Sequence, residues 1–223
     1  MAIAYDSFSS GKSNSTASLT VSHTCSGSDR ILLVQTMCNG AFTTGVTYNG
    51  TAMTLLLQDK NGGGGGSGTG VYYLINPDSG THDIVASLST NYIVLTAASY
   101  TGVDQASFPD GSSKEDYPAD NGANQSNTIT PINNNCWVVG GAFVNANAAT
   151  SGGTDTTLRI SDSNPAGGLG MGDNNATVAT PAATTLIWTS SAAGRFGWIA
   201  SMQESGGAPA VGAKLFTLLG VGV

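Results

Sequence analysis

The dipeptide Asn49-Gly50 lies between two alternating arms, Gly45-Val46-Thr47-Tyr48 and Thr51-Ala52-Met53-Thr54-Leu55, and it constrains this chain more than any other feature. A type I′ turn needs positive φ at both central residues, which Asn and Gly tolerate, and its twist matches the strands it joins. The pattern predicts a two-residue hairpin with Tyr48 opposite Thr51 and Val46 opposite Met53. Short alternating segments and turn residues continue on both sides, so an antiparallel all-β fold should grow outward from this hairpin.

Towards the N-terminus, Ala2 to Asp6 reads as a short strand and Ser7 to Ser15 as a polar loop. Leu19, Val21 and His23 share one face of the next strand, and the largely apolar run from Arg30 to Cys38 predicts a central strand covered on both faces. Beyond the hairpin, Gln58 to Gly70 should be a loop around the glycine run Gly62 to Gly66. No Gly-Lys-Ser/Thr follows that run, so it is not a phosphate loop. Val71 to Ile75, Thr81 to Leu88 and Tyr92 to Thr101 are further strands, with Asn76-Pro77-Asp78-Ser79-Gly80 as a turn. The second half offers Asn127 to Ile132, Cys136 to Val144, Thr156 to Ser161, Ala176 to Thr180, Thr184 to Ser190 and a half-buried strand from Gly194 to Gln203, with Ser151 to Asn175 rich in loops. The expected class is an all-β antiparallel sandwich, one domain over residues 1–204, followed by a linker and apolar tail over 205–223.

Composition narrows the function. A net charge of -7 with only 7 Lys plus Arg leaves no basic patch, which argues against nucleic acid and anionic lipid as partners. No stretch approaches the roughly 20 apolar residues of a membrane helix. The opening residues Met1 to Asp6 show no basic region, apolar run and small-residue cleavage site, so secretion by such a signal is not expected. Cys25, Cys38 and Cys136 are odd in number and lack a CxxC spacing, which favours buried free thiols over disulfides or zinc.

Candidate site residues concentrate in Val103 to Ser126, the longest stretch without periodicity, which carries Asp104, Phe108, Asp110, Asp116, Tyr117 and Asp120. The carboxylates lack the spacing of an EF-hand. Aromatic rings beside Asp and Asn suit stacking on a sugar, while an acidic solvated loop or a subunit contact fits the same residues. His23 and His82 both fall on strand faces and read as structural. Glu115 and Glu204 are the only glutamates, and neither a Gly-x-Ser-x-Gly elbow nor a histidine metal motif occurs, so no catalytic residue, metal or cofactor is assigned.

Several segments together resemble a family of jelly-roll β-sandwich domains found in tailed-phage virion proteins and bacterial surface proteins. They are Ser18 to Thr24, Asp29 to Val34, Val46 to Thr54, Val71 to Pro77, Ala98 to Asp104 and Trp198 to Met202. The family carries no catalytic motif. The resemblance implies a non-enzymatic structural or decorating component of a phage particle, at the capsid surface or on the tail. Such a protein is made in the host cytoplasm and meets other virion proteins or copies of itself as a homo-oligomer. The alternative it leaves is a carbohydrate-binding module for glycans. After the linker Ser205 to Ala210, the residues Lys214, Leu215, Phe216, Leu218 and Leu219 form an apolar tail that needs cover, either as an assembly element on a neighbour or as a final edge strand of its own sandwich.

Overall fold

A computed structural model of the chain describes residues 1–60, 67–88, 92–106, 108–110, 114–117, 124–144, 150–165, 167–190 and 195–206. Their regular elements are strands: β1 (Ala4–Ser13), β2 (Ser18–Cys25), β3 (Ile31–Cys38), β4 (Thr43–Tyr48), β5 (Thr51–Ala52), β6 (Thr54–Lys60), β7 (Gly68–Ile75), β8 (Gly80–Leu88) and β9 (Ile93–Thr101) in the first half. In the second half they are β10 (Lys114–Tyr117), β11 (Asn124–Ile129), β12 (Cys136–Val144), β13 (Thr150–Gly152), β14 (Thr157–Asn164), β15 (Gly167–Asp173), β16 (Thr184–Ser190) and β17 (Arg195–Gln203). Every pairing between them is antiparallel.

The organising hairpin forms with the expected register, Tyr48 opposite Thr51, and with positive φ at both turn residues, 46° at Asn49 and 77° at Gly50. Its second arm then divides. β5 ends at Ala52, the amide of Met53 donates to the Val46 carbonyl, and Thr54 onward crosses to a different sheet as β6.

The all-β antiparallel sandwich class expected from the alternation forms, and its strands fall into four sheets that pack as two sandwich-like pairs of the same topology. The first pairs an inner sheet, β1-β9-β3-β7-β6, with an outer sheet, β2-β8-β4-β5; the second pairs β10-β17-β12-β15-β14 with β11-β16-β13. Strand for strand the orders coincide, and β5 alone has no counterpart among the described residues. A β-bulge falls at the same place in the edge strand of each inner sheet, between Leu55 and Leu57 in β6 and between Leu158 and Ile160 in β14. Setting the bulges in register makes Val71 equivalent to Met171, Gln35 to Gly141 and Thr96 to Trp198.

The two inner sheets pack face to face. One hydrophobic cluster takes Ile31, Leu33, Met37, Val71 and Tyr100 from the first half and Trp137, Phe143, Met171, Trp198 and Met202 from the second. Each sandwich also has its own core, around Leu32, Val34, Tyr48 and Ile84 in the first and Val138, Leu186, Trp188 and Ile199 in the second. The result is four layers, outer, inner, inner, outer, in which β3, β9 and β12 are buried nearly end to end because both of their faces are covered. Near the centre of the interface, Gln35 donates to the Gly170 carbonyl at 2.9 Å and accepts from Trp198 Nε1 at 2.8 Å. A Cβ at Gly141 would lie 2.2 Å from Gln35 Oε1, so the small residue makes room for its own large equivalent. Equivalent positions that meet across an interface are the mark of an isologous pair, here fused into one chain.

Other boundaries move for local reasons. Ser7 to Ser13 belongs to β1 instead of a loop, since its Ser and Gly residues pair along β9. The expected loop from Gln58 to Gly70 contracts as β6 runs to Lys60 and β7 starts at Gly68; Gly62 to Gly66 lie outside the described residues. The aperiodic stretch Val103 to Ser126 contains β10 and the start of β11, and that strand ends at Ile129, not Ile132. β15 arises within the stretch expected to be loops, Ala176 to Thr180 contributes the isolated bridge from Val178 to Cys136, and β17 is buried on both faces from Gly197 to Gln203 instead of on one.

Candidate functional site

The segment after β9 connects the two sandwiches, and its described residues turn inward. Asp104 is half-buried and its amide donates to the Gln203 carbonyl at 2.8 Å. Phe108 is 6% exposed, with its ring edge-on to Tyr73 at 5.1 Å. Asp110 is fully buried: its Oδ2 accepts from the Ile132 and Asn133 amides at 3.2 and 3.1 Å and from the Cys136 thiol at 3.2 Å. Burial, with the Asp110 charge beside it, pushes the Cys136 thiol well up, and Cys25 and Cys38 are likewise buried and free. Phe108 and Asp110 therefore anchor the connection and leave little surface for a ligand. Asp116 and Tyr117 lie in β10, opposite Trp198 and Gly197, and nothing is described of their side chains. Asp120 and the tail residues Lys214, Leu215, Phe216, Leu218 and Leu219 lie outside the described residues. Of the six loop candidates, only Asp104, Phe108 and Asp110 have described side chains, and Phe108 and Asp110 are buried within the fold.

Two shallow polar clefts, each of about 470 Å³, open on the surface. One lies between the sandwiches, where Lys12 Nζ of β1 meets Asp162 Oδ1 of β14 at 2.9 Å and donates to the Ser163 carbonyl. Asn164, also on its wall, donates to the Ile93 carbonyl at 2.8 Å. The other borders the organising hairpin, with Asn49, Gly50, His82 and Asp83 on its walls. Among the described residues no group of three or more His, Cys, Asp or Glu is placed to hold a metal.

Sequence reasoning missed the buried polar groups that join the halves. Arg159 occupies the bulge of β14, the position of Leu56 in β6, and turns inward like it. Its guanidinium grips the buried Asp173 twice, at 2.7 and 2.9 Å, donates to Asn175 Oδ1 at 2.7 Å and lies 4.3 Å over the Tyr5 ring. Tyr100 of the first sandwich donates to the same carboxylate at 2.8 Å, and burial followed by the Asp173 charge raises its phenol far above the usual value. No local pattern marks a bulge residue, so Arg159 carried no signal in the sequence.

His23 is also structural. The Ser7 hydroxyl donates to the Thr24 carbonyl, which leaves Ser7 to accept from His23 Nε2 at 3.3 Å while Ser9 donates to Nδ1 at 2.9 Å. The ring is neutral in this arrangement. Burial lowers the imidazole to about 4, against the opposing pull of Asp6, too low for a base at neutral pH. On the two outer faces, hydroxyls pair across strands: Thr24 with Thr81 at 2.8 Å in the first sandwich, Thr128 with Thr185 at 2.7 Å and Ser151 with Thr189 at 2.8 Å in the second.

No protein-family model matches the sequence, and no curated protein matches it. Among solved structures, an anti-sigma factor domain-containing protein aligns at 11% identity over 86% of this chain and 76% of its own, with a TM-score of 0.23. A score that low establishes no shared fold.

Proposed function

We propose that the chain is a non-enzymatic structural component of a bacteriophage particle, a capsid-surface or tail accessory protein that attaches through its apolar tail. The observation that supports this reading is that, among the described residues, both sandwiches reach the same strand order, β5 aside, between residues 4 and 203. Among the described residues, the unmatched position lies beside β13, where the first sandwich holds the two-residue β5, and β13 itself offers three residues of edge. That is short for Leu215 to Leu219. The chain is also clamped where the tail departs: Glu204 bridges Val103, Ser205 Oγ donates to Asp29 at 2.6 Å, and the Met1 ammonium donates to the Ser205 carbonyl at 2.6 Å. An anchored exit followed by an apolar segment suits donation to a neighbour, where main-chain bonds to a sheet edge add to side-chain burial. Burying Leu215, Phe216, Leu218 and Leu219 is worth about 6 to 10 kcal/mol before ordering costs.

Quantitative mass spectrometry of purified particles from a host carrying the gene tests this reading. The expected result is the chain at a fixed copy number that matches a capsid or tail symmetry. Recovery only from the lysate supernatant, with none on particles, contradicts it.

A further inference from the structure

Phe8 is 56% exposed, the one aromatic ring among the described residues that lies mostly in solvent. It sits in β1, along the seam between the two sandwiches. Residues directly opposite in adjacent strands share a face, and Phe8, Ser10 and Lys12 stand opposite Ala98, Thr96 and Val94 of β9, of which Ala98 and Val94 belong to the cluster between the inner sheets. The intervening residues turn the other way, Ser7 and Ser9 to His23 and Gly11 to Val21. Phe8, Ser10 and Lys12 therefore look towards β14, where Arg159 lies over the Tyr5 ring and Lys12 meets Asp162, and Phe8 falls between these two contacts. The second half has no ring at the equivalent place, since Lys114 of β10, opposite Ala200, is the counterpart of Phe8.

The seam ends in the cleft of about 470 Å³ at Lys12, a volume within the range of small-molecule sites. Its walls are fixed. Asn164, 3% exposed, donates to the Ile93 carbonyl at 2.8 Å and to Asn14 Oδ1 at 3.3 Å, which ties the end of β14 to the end of β1 and leaves the Asn14 N–H groups at the rim. Lys12 spends two of its three N–H on Asp162 Oδ1 and the Ser163 carbonyl, both at 2.9 Å, and its side chain is half-exposed, so the third is open to a ligand. Burial alone would raise the Asp162 carboxyl; bonds from Lys12, the Ser163 amide and Ser10 outweigh it and hold the group below its usual value, as a charged acceptor. We propose that the seam from Phe8 to the cleft wall at Pro165 binds a neutral oligosaccharide. The exposed ring offers a face on which the apolar side of a sugar ring stacks. The Lys12–Asp162 pair places a donor and an acceptor 2.9 Å apart, which suits adjacent hydroxyls, and its charges cancel, which favours an uncharged ligand. Phe8 and Lys12 are four residues apart on one strand, about 14 Å, more than a single sugar ring spans, so the occupant is a chain of rings. The sugar chemistry expected at Phe108 and Asp110, which are buried, is thus offered here by a ring left in solvent. This site is independent of attachment through the tail.

The test titrates the full-length chain by calorimetry with maltotetraose, cellotetraose and chitotetraose in turn. The site predicts saturable binding of at least one of them. Phe8→Ala, a substitution at an exposed ring, should weaken that binding about tenfold or more at an unchanged melting temperature, and Phe8→Tyr should retain it. Should Phe8→Ala fail to fold, Lys12→Met probes the same ligand from the far end of the seam and should weaken binding likewise. No binding of any of the three sugars overturns the proposal, and so does binding at full strength in a folded Phe8→Ala or Lys12→Met chain, which would place the sugar elsewhere.

Discussion

At the scale of single residues, the most consequential group is Asp173, a carboxylate fully buried between two sandwiches and held by Arg159 and Tyr100. Removing one partner of a buried pair leaves a charge that the interior cannot solvate. Arg159→Met should therefore lower stability by about 3 kcal/mol in urea unfolding, and adding Asp173→Leu should recover most of that loss. A single-variant loss well under 1 kcal/mol would show that the pair contributes little. His23 gives the chain an acid limit. Its imidazole titrates near 4 in the folded state against about 6.5 when exposed, so the unfolded chain takes up the proton first. Stability from this residue is complete above pH 6.5, declines as pH falls from 6.5 to 4, and amounts to about 3 kcal/mol. The difference in unfolding free energy between pH 7 and pH 4 should shrink by about that amount in His23→Gln, and an equal difference in both chains would contradict the assignment.

At the scale of elements, what the sequence disclosed depended on whether the cause was local. The Asn49-Gly50 hairpin was legible because the turn conformation is encoded in two adjacent residues, β12 because its run Cys136–Val144 holds only apolar residues and glycine, and β16 because Thr184–Ser190 is rich in β-branched and aromatic residues. β15 was illegible: Gly167-Gly168-Leu169-Gly170-Met171-Gly172 reads as loop, yet its glycines are required by neighbours distant in sequence. A Cβ at Gly172 would sit 2.3 Å from the Thr157 carbonyl oxygen. The short, charged β10 was lost for the related reason that an edge strand needs no apolar alternation. Candidate site residues fared likewise, since Phe108 and Asp110 were read as loop chemistry but their burial is set by Tyr73, Cys136 and the 132–133 backbone. The hairpin supplies a controlled test. Nothing lies within 4 Å of a Cβ at either Gly50 or Gly45, but only Gly50 has positive φ, 77°. Gly50→Val should cost about 1 kcal/mol or more and Gly45→Val close to nothing, read as melting temperatures. Equal effects would remove the backbone explanation.

At the scale of the whole molecule, two sandwiches of one topology share a hydrophobic interface, and that duplication leaves little trace in the sequence because the halves differ in the residues that matter most at their contact. Gln35 faces its equivalent Gly141, and the apolar layer of Leu19 and Val21 contrasts with the polar one at Asn127 and Trp188. Because the Ile31, Trp137 and Trp198 cluster belongs to both halves, thermal unfolding should be a single transition with equal calorimetric and van't Hoff enthalpies. Two resolved transitions would make the halves independent domains. The central proposal is that residues 1–206 hold together without the tail and that the remainder docks on a neighbour. Deleting residues 212–223 tests it most directly, by melting temperature together with solution mass and incorporation into particles. The account predicts an unchanged melting temperature with loss of self-association or of incorporation, whereas a truncated chain that melts lower or fails to fold would show that the tail completes its own sandwich.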